Sequence, residues 1–418
     1  MHPHKILLRA AGALMLAGAA FSAHAVKYFA WEAIEAPVAS GASCGNGTPY
    51  RFFVNRTPFT SKTVVIYEGG GACWDQGSCK GGSLLSASNP NGIPADYMSS
   101  LMAQLATPFN ARLHPLQAVQ TQSWNIVFMP YCTGDVHTGN KLGVYGDADP
   151  ANPLTYLHRG SPNSEAAAAW LKANLPRPDK LLVTGYSAGG AGATSNYAVV
   201  RTALNPKQSA LMGDAGPLFP APRGSSSALH PSLPLQNKIR DAWGLDGPKG
   251  LITKMLALYP GVIDPQNLGS VSTALGRQFP KDRIGYATFQ MDGVYSDFSY
   301  TKFYPEIAAA TGEDKARLLN AKWVQDIANW KTELATQPNV GFYIPYARDL
   351  LDAHCLTVLT FGGTAIKEAR QASVGAFVDN LIDGTSTPTR AFETQPIVQK
   401  TFGLLSYLIN PLMDLLGV

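Results

Sequence analysis

The sequence predicts an α/β fold, a mostly parallel sheet flanked by helices, and three observations carry that expectation. Short apolar runs rich in β-branched residues recur along the chain, among them Lys62 to Tyr67, Trp124 to Met129 and Leu181 to Thr184. Each has the length and composition of a strand buried on both faces. Helical stretches such as Ser164 to Leu175 alternate with these runs, as βαβ connections require. Gly at 40 and Pro at 30 of 418 residues add many turns and long loops, which argues against a helical bundle.

At 45% hydrophobic and 15% charged, the chain has ample core for one large domain or two smaller ones. The division expected is a single catalytic domain over 26–418, with an insertion around 217–280 and an apolar tail over 402–418. Residues 1–25 read as an export signal. Lys5 and Arg9 form its positive end, Ala11 to Ser22 its short apolar core, and Ala23-His24-Ala25 its cleavage site. Net charge is +4, falling to about +2 without that leader, which is too weak and dispersed for a nucleic-acid partner. The expected location is therefore extracellular or periplasmic, without stable membrane insertion.

Five cysteines suit an oxidising compartment. Cys73 and Cys79 are close enough to clip a loop, and Cys44, Cys132 and Cys355 leave an odd count. No C-x-x-C or His/Cys group has zinc spacing, so neither metal nor cofactor is expected.

In chain order, Val26 to Ala42 reads as a linker, Cys44 to Pro49 as a turn, and Tyr50 to Asn55 as a strand. Lys62 to Tyr67 runs into Glu68-Gly69-Gly70-Gly71-Ala72-Cys73-Trp74. A glycine triplet behind a buried strand lets backbone approach a ligand closely. Ser83 to Asn110 is an irregular, polar excursion. Behind the Trp124–Met129 strand lies a loop with Tyr131, Cys132, Asp135 and His137, where His137 is expected to be a satisfied histidine lining a cleft. Ala210 to Met212 is a strand ending at Asp214. Pro220 to Pro280 reads as a lid with helical patches near 235–243 and 250–258. Ile284 to Met291 is a strand with Asp292 at its end. Asn320 to Glu333 is a helix whose Trp323 and Trp330 share a core-facing side. Val340 to Tyr346 is the last strand, followed by a loop carrying His354, and 402–418 is expected to be a helix packed on the domain.

The chemistry centres on Gly185-Tyr186-Ser187-Ala188-Gly189, a G-x-S-x-G placed between a strand and a small-residue segment able to start a helix. That context makes a nucleophile elbow. Side chains at Gly185 and Gly189 would collide as strand and helix pass, and the turn aims backbone N–H groups where negative charge develops. A serine hydroxyl needs a histidine to take its proton and an acid to orient that histidine. Beyond Ser187 only His230 and His354 remain, and His354 follows the last strand, as the chain order serine, acid, histidine of α/β-hydrolases requires. For the acid, Asp214, Asp292 and Asp297 are candidates at or near strand ends.

Taken together, Glu68 to Trp74 with Cys79, Pro130-Tyr131-Cys132 through Gly139, Gly185 to Gly190 and Asp214-Ala215-Gly216 recur in the order seen in the pectin acetylesterase/Notum family of serine carboxylesterases, which this chain resembles over roughly residues 40–360. The resemblance implies an α/β-hydrolase fold, with Ser187 as nucleophile, His354 as base and Asp292 as orienting acid. Tyr295 replaces the glutamine of the family's Asp-x-x-Gln segment. The resemblance further implies an oxyanion hole of Gly70, Gly71 and Ala188, and candidate substrate-lining residues Trp74, Tyr131, His137 and Tyr186. Gly71 stands where some relatives carry a bulky aromatic, and His137 replaces an aromatic of animal relatives. The activity expected is ester hydrolysis, first of all deacetylation of pectin-like polysaccharide. Hydrolysis of lipid, lipidated-protein or polyester substrates by the same triad comes next, and a non-catalytic binding protein last.

Overall fold

In the computed structural model, residues 26–81, 89–115 and 117–394 are described; the expected export signal and apolar tail lie outside them. The strands are β1 (Trp31–Glu35), β2 (Arg51–Asn55), β3 (Thr63–Tyr67), β4 (Asn125–Met129), β5 (Lys141–Tyr145), β6 (Leu154–His158), β7 (Lys180–Tyr186), β8 (Gln208–Asp214), β9 (Arg283–Ala287), β10 (Val340–Ile344) and β11 (Arg390–Phe392). Nine form one sheet in the order β1-β2-β4-β3-β7-β8-β9-β10-β11, and β5 and β6 form a separate hairpin. From β4 to β11 all pairings are parallel, while β1 and β2 join antiparallel at one edge. The architecture is α/β-hydrolase-like.

The apolar runs are the centre of this sheet. Val64, Val65, Ile66, Ile126, Val127, Phe128, Leu182 and Val183 are all fully buried, because helices cover both faces. Side chains alternate along a strand, so the two faces can be assigned. Gly213, level with Tyr286, faces Thr194 of the helix Ala188–Leu204, whereas the neighbouring Gly285 faces Phe377 and Leu381 of the helix Val374–Asp383. Trp323 and Trp330 of the helix Gly312–Leu334 are buried core, and Trp323 Nε1 donates to the Phe289 carbonyl at 3.0 Å.

Strand order places the chemistry. From β3 the chain turns one way to β4, then crosses back to lay β7 on the other side of β3. The carboxyl ends of β3 and β7 therefore border the crevice where the winding reverses, the usual ligand position in open α/β sheets. The glycine triplet leaves β3 and Ser187 leaves β7 at that point.

Three expectations need correction. The linker over 26–42 contains β1, in which only Ile34 is buried, too little apolar signal for a strand to be read. The β5–β6 hairpin was not anticipated, since Leu142 and Val144 are exposed and the run has no core pattern. The strand expected over 284–291 ends at Ala287. Its continuation still follows β10, with Gln290 N and Met291 N donating to the carbonyls of Pro345 and Tyr346 at 3.0 and 3.1 Å. That extension carries Asp292 past the end of the sheet.

Two disulfides, Cys44–Cys132 and Cys73–Cys79, tie loops at this end of the sheet, and Cys355 is a buried free thiol. No helix among the described residues is long and apolar enough to cross a membrane.

Candidate active site

Ser187 sits at φ 57°, ψ −128°, between β7 and the helix Ala188–Leu204. The turn is wedged in place from both sides. A Cβ on Gly185 would lie 2.2 Å from the Gly189 carbonyl oxygen, and one on Gly189 would lie 2.0 Å from that of Tyr67. Ser187 N donates to the Asp214 carbonyl at 2.9 Å, anchoring the strained residue to β8.

Asp292 is the N-cap of the helix Gly293–Tyr300. Its Oδ1 accepts from Tyr295 N at 2.8 Å, while its Oδ2 accepts from His354 Nδ1 at 2.8 Å. The cap fixes the carboxylate, and the carboxylate fixes the ring. Both side chains are buried. Nε2 of His354 has no hydrogen-bond partner, and His354 lines the same cavity as Ser187. Burial pushes the imidazole pKa down, but the adjacent Asp292 carboxylate prevails and holds it well above the ordinary histidine value. Burial pushes the neighbouring Cys355 thiol up to about 11, leaving it neutral.

The other two acids have different duties. Asp214, fully buried, accepts from Leu356 N at 2.9 Å and from Thr357 N and Oγ1 at 2.8 and 2.7 Å, clamping the loop that carries His354. Asp214 thus holds the elbow through its carbonyl and the histidine loop through its carboxylate. Asp297 pairs with Lys315 at 2.6 Å and stands on a different cavity from His354. His230 bonds the Pro220 carbonyl and does not line the Ser187 cavity.

Gly70, at φ 146°, and Gly71, at φ 77°, bring backbone beside Ser187 in a conformation that favours glycine. Among the described residues no acceptor faces the N–H groups of Gly70, Gly71 or Ala188. Glu68 holds this loop from below. Its carboxylate accepts from Tyr97 Oη at 2.5 Å and Tyr131 N at 2.9 Å, and its carbonyl accepts from His137 Nε2 at 2.8 Å. Burial raises the Glu68 carboxyl to about 7 and lowers His137 to about 4.

The cavity has a volume of about 390 Å³, within the range of small-molecule sites. Of the four expected lining residues only Trp74 faces it. Tyr131 and His137 are buried beneath the glycine loop, Tyr131 with its Oη accepting from Val136 N, and Tyr186 is packed into the core behind the elbow. Their places are taken by residues the sequence reading missed: Leu218, Leu235, Ile239 and Trp243 from the insertion, and Val294 and Phe298 from the helix behind Asp292. The helical patch near 235–243 was the available signal, since Leu235 and Ile239 are one turn apart. Trp243 Nε1 donates to the Cys73 carbonyl at 2.8 Å, which joins the insertion to the glycine loop. The sulfurs of Cys73 and Cys79 lie near His158 at metal-ligand separations, but the disulfide occupies both.

A family model described as pectinacetylesterase matches residues 23–228, which span the glycine loop, the elbow and Asp214. Over those residues, just under half of the chain, this protein resembles the pectinacetylesterase family. Asp292 and His354 lie beyond that match. Two similar proteins from Xenopus laevis are palmitoleoyl-protein carboxylesterase notum1', 28% identical over 173 residues, and palmitoleoyl-protein carboxylesterase notum2, 26% identical over 161. These matches cover 39% and 37% of this chain but only 31% and 29% of those proteins, so the chain spans under a third of their length. The structure of the Wnt deacylase Notum from Drosophila superposes with a TM-score of 0.55 at 16% identity, covering 88% of this chain and 97% of that one, a likeness of fold.

Proposed function

We propose that this protein is an exported serine carboxylesterase whose triad is Ser187, His354 and Asp292. The observation carrying the proposal is the buried Asp292–His354 pair, whose Nε2 has no hydrogen-bond partner while His354 lines the cavity that also receives Ser187. In this reading Ser187 Oγ attacks the ester carbonyl while His354 Nε2 takes its proton, and Asp292 stabilises the imidazolium. The N–H groups of Gly70, Gly71 and Ala188 hold the tetrahedral oxyanion. His354 then gives the proton to the leaving alcohol, and water, deprotonated by the same nitrogen, releases the acid from Ser187. The two disulfides support export to an oxidising compartment.

For the substrate, the cavity reverses the order expected from sequence. An acetyl group has no use for a pocket walled by Trp74, Leu218, Leu235, Ile239, Trp243, Val294 and Phe298. An apolar acyl chain buries there with about 0.8 kcal/mol per methylene. The preferred reading is therefore hydrolysis of esters of longer apolar acids, with the insertion around 217–280 serving as a cap over the chain. Deacetylation of pectin-like polysaccharide is the second reading, motivated by the family match.

Kinetics on a p-nitrophenyl ester series from acetate to palmitate separate the two. The expected result is kcat/KM rising with chain length beyond butyrate, together with fluorophosphonate labelling that Ser187→Ala abolishes. Strict preference for acetate, with acetate release from acetylated pectin, restores the second reading. Absence of both turnover and labelling removes the esterase assignment and leaves a binding protein.

A further inference from the structure

A second cavity, of about 290 Å³, adjoins the first. It is bordered by Gly293, Val294, Asp297, Phe298, Gly312, Lys315, Ala316, Leu319 and Asp352. Val294 and Phe298 border both cavities and so form a shared ridge. The histidine loop straddles the same ridge: Leu351 faces the first cavity and Asp352 the second, with His354 two residues further on. Asp352 is packed against Gly293, the residue next to Asp292, where an added Cβ would lie 3.1 Å from its own Cβ. The second cavity thus opens beside the Asp292–His354 pair, across the ridge from the apolar acyl pocket.

The two cavities differ in chemistry. The first is walled almost wholly by apolar groups, whereas the second carries three charged side chains. Asp297 Oδ1 accepts from Thr301 Oγ1 at 2.7 Å and pairs with Lys315 Nζ at 2.6 Å. Among the described residues the Asp352 carboxylate enters no ion pair or hydrogen bond, and Lys315, which lines the same cavity, is held by Asp297. Two carboxylates against one ammonium leave the cavity with a net negative charge and spare acceptor oxygens.

Resting on the esterase reading above, we propose that this second cavity is the subsite for the alcohol half of the ester, and that it selects alcohols with hydroxyl or ammonium donors and no negative charge. The leaving oxygen receives its proton from His354, so the alcohol must depart on the histidine side of Ser187, and this cavity is bordered by Asp352 of the histidine loop and by Gly293 next to Asp292. A hydroxyl-rich or cationic alcohol satisfies the spare oxygens of Asp352 and Asp297. An alcohol bearing a carboxylate, such as a uronate, meets like charge in a half-enclosed cavity and is disfavoured.

The test holds the acyl group constant and varies the alcohol, comparing kcat/KM for the octanoyl esters of choline, glycerol and lactate, with p-nitrophenyl octanoate as reference. The expected order is choline and glycerol above lactate. Asp352→Asn should lower the choline-to-lactate ratio by roughly fivefold, and Lys315→Gln, which frees Asp297, should raise it by a similar factor. Asparagine tolerates the left-handed backbone of residue 352 (φ 51°, ψ 45°), so the first variant is expected to fold. A purely structural role would lower all rates together and leave the ratio unmoved. Turnover of p-nitrophenyl octanoate with a ratio that neither variant shifts, or with lactate preferred, overturns the subsite and leaves the esterase reading standing. Loss of all turnover in the unaltered protein overturns the esterase reading itself.

Discussion

The elbow at Ser187 and the loop at His354 both hold backbone in unfavourable conformations, but they are held by different means. Ser187, at φ 57° and ψ −128°, is clamped by its sequence neighbours, with Gly185 and Gly189 letting β7, β3 and the following helix close around it. The His354 loop contains four non-glycine residues at positive φ, Leu351 at 51°, Asp352 at 51°, Ala353 at 55° and Cys355 at 64°. Nothing local compels that conformation. It is imposed from far along the chain by Asp214 on the amides of Leu356 and Thr357, and from seven residues upstream by Arg348 on the carbonyl of Cys355. In the proposed triad the nucleophile is placed by a motif and the base by tertiary contacts. The elbow therefore advertises itself in sequence, while the conformation of the histidine loop does not.

The largest effects expected are at the triad itself. Ser187→Ala, His354→Ala and Asp292→Asn should each lower kcat by roughly 10⁴ with unchanged circular dichroism. Full turnover in Asp292→Asn alongside its loss in Asp214→Asn would reassign the acid. Next comes the elbow: Gly189→Ala forces a Cβ against the Tyr67 carbonyl, with 2.0 Å of separation available, and should cost about 3 kcal/mol or more of stability by denaturant unfolding.

Asp214→Asn probes the other region. It keeps the shape but exchanges two acceptor oxygens for one, so the His354 loop should shift. A drop of roughly 10² in kcat is expected, with faster amide exchange at Leu356 and Thr357 and little change at the elbow. Uniform acceleration of exchange at both sites would erase the contrast drawn above.

Proton linkage gives a smaller and signed effect. Glu68 beneath the glycine loop has its carboxyl raised to about 7 from 4.5, so the stability it contributes is fully present below 4.5 and is lost as pH rises through about 7. The raised His354 acts in the same direction, its contribution lost as pH rises above the ordinary histidine value of 6.5 through its elevated one. Activity should move oppositely, because the base must be neutral. His137, lowered to about 4, acts with the opposite sign between about 4 and 6.5, so the Glu68 contribution is read as a difference. Between pH 4.5 and 7 the Tm of the unaltered protein should fall relative to that of Glu68→Gln, while kcat/KM rises. A Tm difference between the two proteins that stays constant from pH 4.5 to 7 would contradict this assignment. The smallest effect is at Ala353, where glycine accommodates φ 55° without strain. Ala353→Gly should stabilise by about 1 kcal/mol or less, the gain being partly offset in the unfolded chain.

By itself the sequence determined the buried parallel strands, the elbow and the glycine loop, and through the order of its residues it narrowed the candidate base to His354 while leaving Asp214, Asp292 and Asp297 open as the acid. Those signals are local or ordinal: apolar β-branched runs leave a strand no alternative in a covered sheet, and small residues at fixed spacing are what a tight turn needs. Only the tertiary structure decided which side chains wall the cavity. It buried Tyr131, His137 and Tyr186 and brought Leu235, Ile239 and Trp243 over from an insertion, and it turned Asp214 into the clamp of a loop more than a hundred residues away. The physical reason is that burial and long-range hydrogen bonding depend on how the sheet is wound. The reversal between β3 and β7, which opens the crevice, is a property of strand order that no short stretch of chain encodes.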